Sequence, residues 1–146
     1  MATVKQLVDG VFEELRELTS EDRTFRNLKL ERLYLYTDEF KVPPAKDWSI
    51  VIRPALSFKN RTGLLGNRMD ETYFVDLIII LKLDATKTAY YFTNGLDVIE
   101  SKLTHNTLNN IVQVVGNNVS YELLDMGESR TMTAIMRYVA RKIIDV

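Results

Sequence analysis

The chain has 146 residues, the size of one typical domain, so we expect residues 1–146 to form a single domain. Its 46% hydrophobic and 27% charged residues, with a net charge of −1, exclude an intrinsically disordered chain, and the lack of cysteine excludes disulfides, thiolate metal sites and cysteine nucleophiles. The longest apolar run, residues 77–81, is far shorter than the roughly 20 residues that cross a bilayer, so we expect no membrane partner.

The first predicted element is an amphipathic helix over residues 4–18. Its apolar stripe consists of Val4, Leu7, Val8, Val11, Phe12, Leu15 and Leu18. Thr3 and Gln6 match a capping box, in which a hydroxyl and an amide satisfy free backbone groups of the first turn. Because the polar face is acidic, we expect the helix to pack on a sheet and not on a membrane surface. The opening residues do not resemble a signal peptide, so we expect a cytoplasmic protein.

Two stretches that are rich in strand-forming residues follow, one over residues 28–36 and one that begins at Trp48. The alternation of the first stretch slips midway, which favours a bulge or twist there. Pro54 restricts the second strand to a sheet edge or a bulge, since proline cannot donate a hydrogen bond to a neighbouring strand.

Residues 59–71 predict a long loop, because they contain two glycines and three basic residues and exceed the length of a tight hairpin turn. Apolar side chains inside a basic loop suggest docking on another chain, and a floppy surface loop is the alternative. The candidate contact residues are Arg61, Leu64, Leu65, Arg68 and Met69.

Residues 72–84 form the strongest predicted strand. They are apolar on both faces, which is typical of a central, largely buried strand. Asp76 interrupts the second face, and since a buried acid would need a partner, we expect it near the strand's end and open to water.

A second helix is predicted within residues 86–103, with Gly95 as a local weak point. Residues 111–115 and 119–124 then predict a hairpin around a Gly-Asn-Asn turn. Residues 130–144 fit both a strand and a helix, and we choose a strand because the strand-rich middle of the chain needs partners. Together these elements predict an α+β fold, with a mixed or antiparallel sheet flanked by an N-terminal helix and a second, central helix.

The charge is unevenly distributed along the chain. Residues 1–40 carry a net charge of −3 and residues 41–70 carry +4, while residues 71–128 carry −5 and residues 129–146 carry +3. Opposite charge blocks in one small domain suit head-to-tail self-association, in which a positive patch on one copy meets a negative patch on the next. Ordinary solvated faces would give the same pattern.

The sequence offers little material for catalysis. His105 is the only histidine and is predicted to lie in a loop, so histidine-based metal sites and catalytic triads have few candidates. Asp84 with Asp97, or Glu122 with Asp125, could pair as acid and base, but nothing marks these acids among the many others. We therefore expect no enzyme, no cofactor and no metal.

Nucleic-acid binding is an alternative hypothesis for the function. Ten basic residues could form a phosphate-binding face near Trp48 and Tyr138. They are Lys41, Lys46, Arg53, Lys59, Arg61, Arg68, Arg130, Arg137, Arg141 and Lys142. The isoelectric point near 5.9 is low for a dedicated binder, and no helix-turn-helix pattern is visible, so this role stays an alternative.

The order of these elements resembles that of the tail-terminator and neck-ring (tail completion) proteins of tailed bacteriophages. The likeness covers nearly the whole chain and rests on the helix over 4–18, the Val42-Pro43-Pro44-Ala45 segment before the strand at 48–52, the glycine-containing loop, the strand over 73–83, the helix that ends at 98–103 and the arginine-bearing last segment.

The resemblance implies a structural virion protein of the tail or neck that is assembled in the host cytoplasm. It implies a hexameric ring that caps the tail tube and joins it to the head-neck connector, with DNA passing through the ring without sequence-specific binding. Its partners would be other copies of itself, the tail tube protein and the connector protein. The alternative within the same particle is another tail-tube or head-completion component.

By the same analogy, the loop over 59–71 would contact a neighbouring subunit or the tail tube. Arg130, Arg137 and Arg141 would pair with the acidic first helix of a neighbouring subunit. No catalytic residue is carried over from the family.

Overall fold

The computed structural model describes residues 3–39, 47–83, 88–112, 114–115, 121–125 and 131–145. The elements are α1 (Val4–Glu21), a 3-10 helix (Arg23–Phe25), β1 (Lys29–Arg32), β2 (Trp48–Leu64), β3 (Arg68–Lys82), α2 (Ala89–Leu103), β4 (Val114–Val115), β5 (Tyr121–Asp125) and β6 (Thr131–Asp145). Both helices pack against one face of a mixed sheet, so the predicted α+β fold is confirmed.

The sheet of the described residues has the order β1-β2-β3-β6, and β4 and β5 both pair with β6. β1 runs parallel to β2, and every other pair is antiparallel. β3 is hydrogen-bonded on both sides, which confirms the prediction of a central strand. The choice of a strand for the last segment is also confirmed, because β6 pairs with β3 over its whole length.

α1 begins with the predicted capping box. The Thr3 amide donates to Gln6 Oε1 at 3.0 Å, and the Gln6 amide donates to Thr3 Oγ1 at 3.2 Å. The helix continues three residues past the predicted end, to Glu21. Five of the seven residues of its apolar stripe are buried in the core with the sheet, and Val4 and Phe12 are partly buried against it, which confirms the expected packing.

Trp48 is the centre of the hydrophobic core. Its side chain is fully buried, and its ring lies 5.1 Å from the ring of Phe25 and 5.5 Å from that of Phe92. Gly95 of α2 faces the same ring, because a Cβ built at this position would lie 2.3 Å from Trp48. The absence of a side chain at Gly95 therefore lets α2 approach the sheet closely.

The prediction that Asp76 is open to water is wrong. Its side chain is buried, and its Oδ1 accepts a hydrogen bond from Arg137 Nε at 3.0 Å, while Arg53 Nε lies 3.9 Å from Oδ2. These residues lie directly opposite one another on three adjacent strands. The partners that a buried carboxylate needs are thus supplied by strands that are distant in the sequence.

Of two predictions about β1 and β2, one is wrong and the other is confirmed. β1 ends at Arg32, so the strand predicted to reach residue 36, with a bulge or twist midway, is wrong. The Leu33 amide still donates to the Ile52 carbonyl at 2.8 Å before the chain leaves the sheet. The bulge expected near Pro54 is confirmed, because the β2–β3 register shifts between Pro54 and Lys59.

The predicted hairpin of residues 111–115 and 119–124 is wrong. Val114 pairs with Arg141 and Tyr121 pairs with Met136, so β4 and β5 follow one another in the same direction along one edge of β6. Residues 116–120, which hold the expected turn, lie outside the described residues. The long strand β6 provides enough edge for both segments.

Candidate subunit interface on a three-stranded arm

The prediction of a long loop over residues 59–71 is wrong. β2 and β3 continue through this segment as an antiparallel hairpin in which Leu64 pairs with Arg68. Gly66 and Asn67 close the turn with φ of 75° and 60°, a left-handed conformation that glycine and asparagine tolerate best. The Gly-Asn pair was the signal in the sequence that could have located this turn.

The end of β6 adds a third strand to this hairpin. Gly63, Met69 and Ile144 lie opposite one another on the three strands. We call these three strand segments, residues 59–64, 68–73 and 140–145, together with the turn at 65–67, the arm. From Tyr73, which is the last buried core residue of β3 in this direction, the strands run on for about 17 Å, at roughly 3.4 Å per residue.

The arm brings together most residues that the sequence indicated as contact residues. These are Arg61, Leu64, Leu65, Arg68, Met69 and Arg141. Arg137 lies on β6 three residues before the arm begins, beside Asp76. Arg130 lies outside the described residues. The pairing of β3 with β6 therefore joins two groups that are about 70 residues apart in the sequence.

A buried carboxylate holds the base of the arm. Glu71 is fully buried, with Lys59 Nζ 3.0 Å from its Oε2 and Arg61 Nε 3.5 Å from its Oε1, and it accepts a hydrogen bond from the Tyr73 hydroxyl. Burial acts to raise the pKa of Glu71, but the Tyr73 hydroxyl and the two cations outweigh it and keep this pKa below its ordinary value of 4.5. Glu71 is therefore ionised at neutral pH.

The opposite face of the arm carries ion pairs that cross between β3 and β6. Arg68 Nε lies 3.5 Å from Asp145 Oδ1, and Arg141 Nη2 donates to Asp70 Oδ2. Arg137 and Arg141 are thus engaged within the chain, although their side chains remain about half exposed. Pairing of these arginines with a neighbouring subunit stays a prediction, and it would use the donors that the in-chain carboxylates leave open.

The tip of the arm exposes apolar side chains. Leu65 is 97% exposed, and Leu64 and Ile143 are about 40% exposed. In the strand register Ile143 lies opposite Asp70, two residues back from the last row of the arm, so its position near the tip could not be read from sequence spacing. An apolar group on a projecting, charged support is typical of a contact with another chain.

The acidic face of α1 is partly neutralised by α2. Lys102 Nζ lies 2.8 Å from Glu17 and 3.0 Å from Glu21, and the hydrogen bond to Glu17 is the main cause that raises the pKa of Lys102. α1 nevertheless keeps a net charge of −3, whereas the arm carries +2. The two surfaces are therefore complementary in sign.

The structure gives little support to the alternative sites, which are the nucleic-acid-binding face and the candidate catalytic residues. Trp48 and Tyr138, expected near a phosphate-binding face, are buried in the core and cannot stack on bases. His105 lies in the exposed turn after α2, as predicted, and Asp97 is exposed on α2. Asp84 lies outside the described residues.

The described residues also bear on metal and membrane binding. No group of three or more His, Asp or Glu side chains is placed there to hold a metal ion, and the side chains of Glu122 and Asp125 are not described. Among the described helices, none has the length and apolar character required to cross a membrane.

Neither a comparison with protein-family models nor a search of curated proteins gave a match for the chain.

Proposed function

We propose that this chain is a structural subunit that assembles head to tail into a closed ring through its arm. The observation that carries the proposal is the apolar tip, with Leu65 almost fully exposed at the end of a positively charged, three-stranded support. The acidic α1 of the next copy supplies a surface of opposite charge. A contact between two different surfaces does not close on itself in a dimer, and it repeats around a ring.

The α+β fold and the resemblance to tail terminators support a position for such a ring in a bacteriophage particle. In that role a hexamer caps the tail tube of a bacteriophage, joins it to the head-neck connector and lets DNA pass through its centre. The subunit would act through surfaces, without a catalytic residue or cofactor. Another tail-tube or head-completion component of the same particle would use the arm in a similar way and is the second candidate.

The size of the apolar tip sets the expected strength of one contact. Burial of an exposed leucine or isoleucine contributes about 1.5–3 kcal/mol, so Leu65 with the partly exposed Leu64 and Ile143 gives a contact of moderate strength. A ring closes only when every subunit makes two such contacts, which raises the effective affinity well above that of one pair. We therefore expect assembly to depend steeply on a single tip residue.

The test compares Leu65→Asp with Leu35→Asp. Leu35 is 78% exposed and follows β1 at the other side of the sheet, so it matches Leu65 in chemistry and exposure but not in position. Light scattering on a sizing column should give a ring mass for the wild type and Leu35→Asp, and a monomer for Leu65→Asp. Negative-stain images with and without tail tubes should place the rings at tube ends.

Two outcomes would contradict the proposal. If Leu65→Asp assembles like the wild type, the arm tip is not the contact. If the wild type remains a monomer in the presence of tube ends, the ring proposal fails altogether. Binding along tubes or to heads instead of tube ends would favour the second candidate.

A further inference from the structure

Among the described residues, two arginines near the end of α1 differ from the other arginines in having no carboxylate partner. Nine arginines lie in the described residues, and seven form ion pairs within the chain: Arg16, Arg32, Arg53, Arg61, Arg68, Arg137 and Arg141. The other two, Arg23 and Arg26, are exposed and form no ion pair with any described residue. Because a guanidinium group stays charged at physiological pH, both charges are available to an external anion.

The backbone that carries these arginines is fixed on the core. Asp22 accepts a hydrogen bond from the Thr24 amide at 2.9 Å and so caps the 3-10 helix. Phe25, which lies between the two arginines, is fully buried. Since residues three apart lie on the same side of a 3-10 helix, Arg23 and Arg26 share the side that faces solvent.

Both arginines line the same surface cleft, which is open to solvent and has a volume of about 250 Å³. Its lining consists of Thr19, Ser20, Asp22, Arg23 and Arg26. The volume suffices for a phosphate group and several waters, because one water takes about 30 Å³ in the liquid. The open side would admit a group that is carried on a chain.

We propose that this cleft binds a phosphate group of a nucleic-acid strand. Guanidinium groups donate paired hydrogen bonds to phosphate oxygens, and two of them on one fixed turn can hold a single phosphate from two sides. Lys29 lies three residues beyond Arg26 at the start of β1, is exposed and forms no ion pair with a described residue, so a strand that continues past the cleft has a third free cation within the same short segment. A free phosphate ion would present the same oxygens, but it would not use Lys29.

Asp22 limits the strength of the site. Its negative charge reduces the net charge of the cleft lining to +1, so binding of one phosphate is weak and depends on salt. Asp22→Asn removes this charge and keeps an oxygen that can cap the Thr24 amide. This variant should bind DNA about three-fold more tightly, the effect of one repulsive charge at several ångströms in water.

The experiment measures the anisotropy of a short, fluorescein-labelled DNA duplex over a series of salt concentrations. Arg23→Gln with Arg26→Gln should weaken binding about ten-fold and should reduce the magnitude of the slope of log affinity against log salt by about 1, since the loss of one phosphate contact removes roughly 0.9. Arg16→Gln is the matched control, because Arg16 is also an exposed arginine of this part of the chain but is paired with Glu13 at 2.7 Å. It should change the slope by much less than the double cleft variant.

Equal binding by the double variant and the wild type would overturn the proposal, as would Asp22→Asn with unchanged or weaker affinity. Titration with inorganic phosphate distinguishes the two sources of phosphate: saturation by the free ion without any DNA binding would overturn the assignment to a strand. Thermal melts of all variants verify folding. Ring mass is measured on the same samples, and because the cleft is separate from the arm, failure of one proposal leaves the other unaffected.

Discussion

Replacement of Glu71 by glutamine tests whether the buried carboxylate holds the arm. The change removes the charge that pairs with Lys59 and Arg61 while it keeps the shape of the side chain and a hydrogen bond for Tyr73. Loss of one partner from a buried ion pair costs about 3–5 kcal/mol, and the exposure of Arg61 to water reduces this, so we expect a loss of about 2 kcal/mol in the free energy of unfolding.

The pH dependence of this loss gives the sharper test. Because the pKa of Glu71 lies below 4.5 in the folded chain, its charge contributes stability above the unfolded pKa, and that contribution is lost as pH falls through the folded pKa. The difference between the wild type and Glu71→Gln should therefore be full near pH 7 and should shrink toward zero as pH falls well below 4.5. Urea unfolding across this pH range measures this difference in stability, and because urea is uncharged, it does not screen the ion pairs.

Asp145→Asn is the control for the same acid-to-amide change on the arm. Asp145 is 90% exposed and pairs with Arg68 at 3.5 Å, so its replacement should leave the urea midpoint unchanged. The reasoning is refuted if Glu71→Gln is no more destabilising than Asp145→Asn, or if its destabilisation is the same at pH 7 and at acid pH.

Two further predictions concern the backbone near the helices. Gly95→Ala should lower stability by about 2 kcal/mol although alanine is the better helix former, because the new Cβ would lie 2.3 Å from the buried Trp48 ring; a raised melting temperature would contradict this close approach. Asn110, at φ 68°, should tolerate glycine but lose about 1 kcal/mol on replacement by alanine, and equal urea midpoints for the two variants would show that no left-handed strain exists there.

Local patterns in the sequence were sufficient to predict the helices and the central strand. The stripe of α1 and the Thr3–Gln6 capping box depend on residues within one or two turns of each other. The double-sided apolar character of β3 likewise depends only on its own residues. These predictions were confirmed because burial of one helix face or of a whole strand leaves a periodic signal that needs no knowledge of the partner.

The arm was missed as a structure although its residues were found. Polar side chains on both faces of residues 59–64 hide the alternation that marks a strand, since none of these six residues is buried in the core. The Gly66–Asn67 turn was the one local signal for it. The contact residues could still be predicted, because apolar side chains within a basic segment are visible in any conformation.

The sequence by itself determined the two helices, the central strand, the charge blocks and the exposed leucines, Leu64 and Leu65, that lie at the arm tip. The tertiary structure alone decided which distant residues meet: β6 beside β3, Arg137 beside Asp76, and β4 and β5 along one edge. The physical reason is that strand register is set by packing and hydrogen bonds between segments far apart in the chain, and a one-residue shift would exchange every partner and every face.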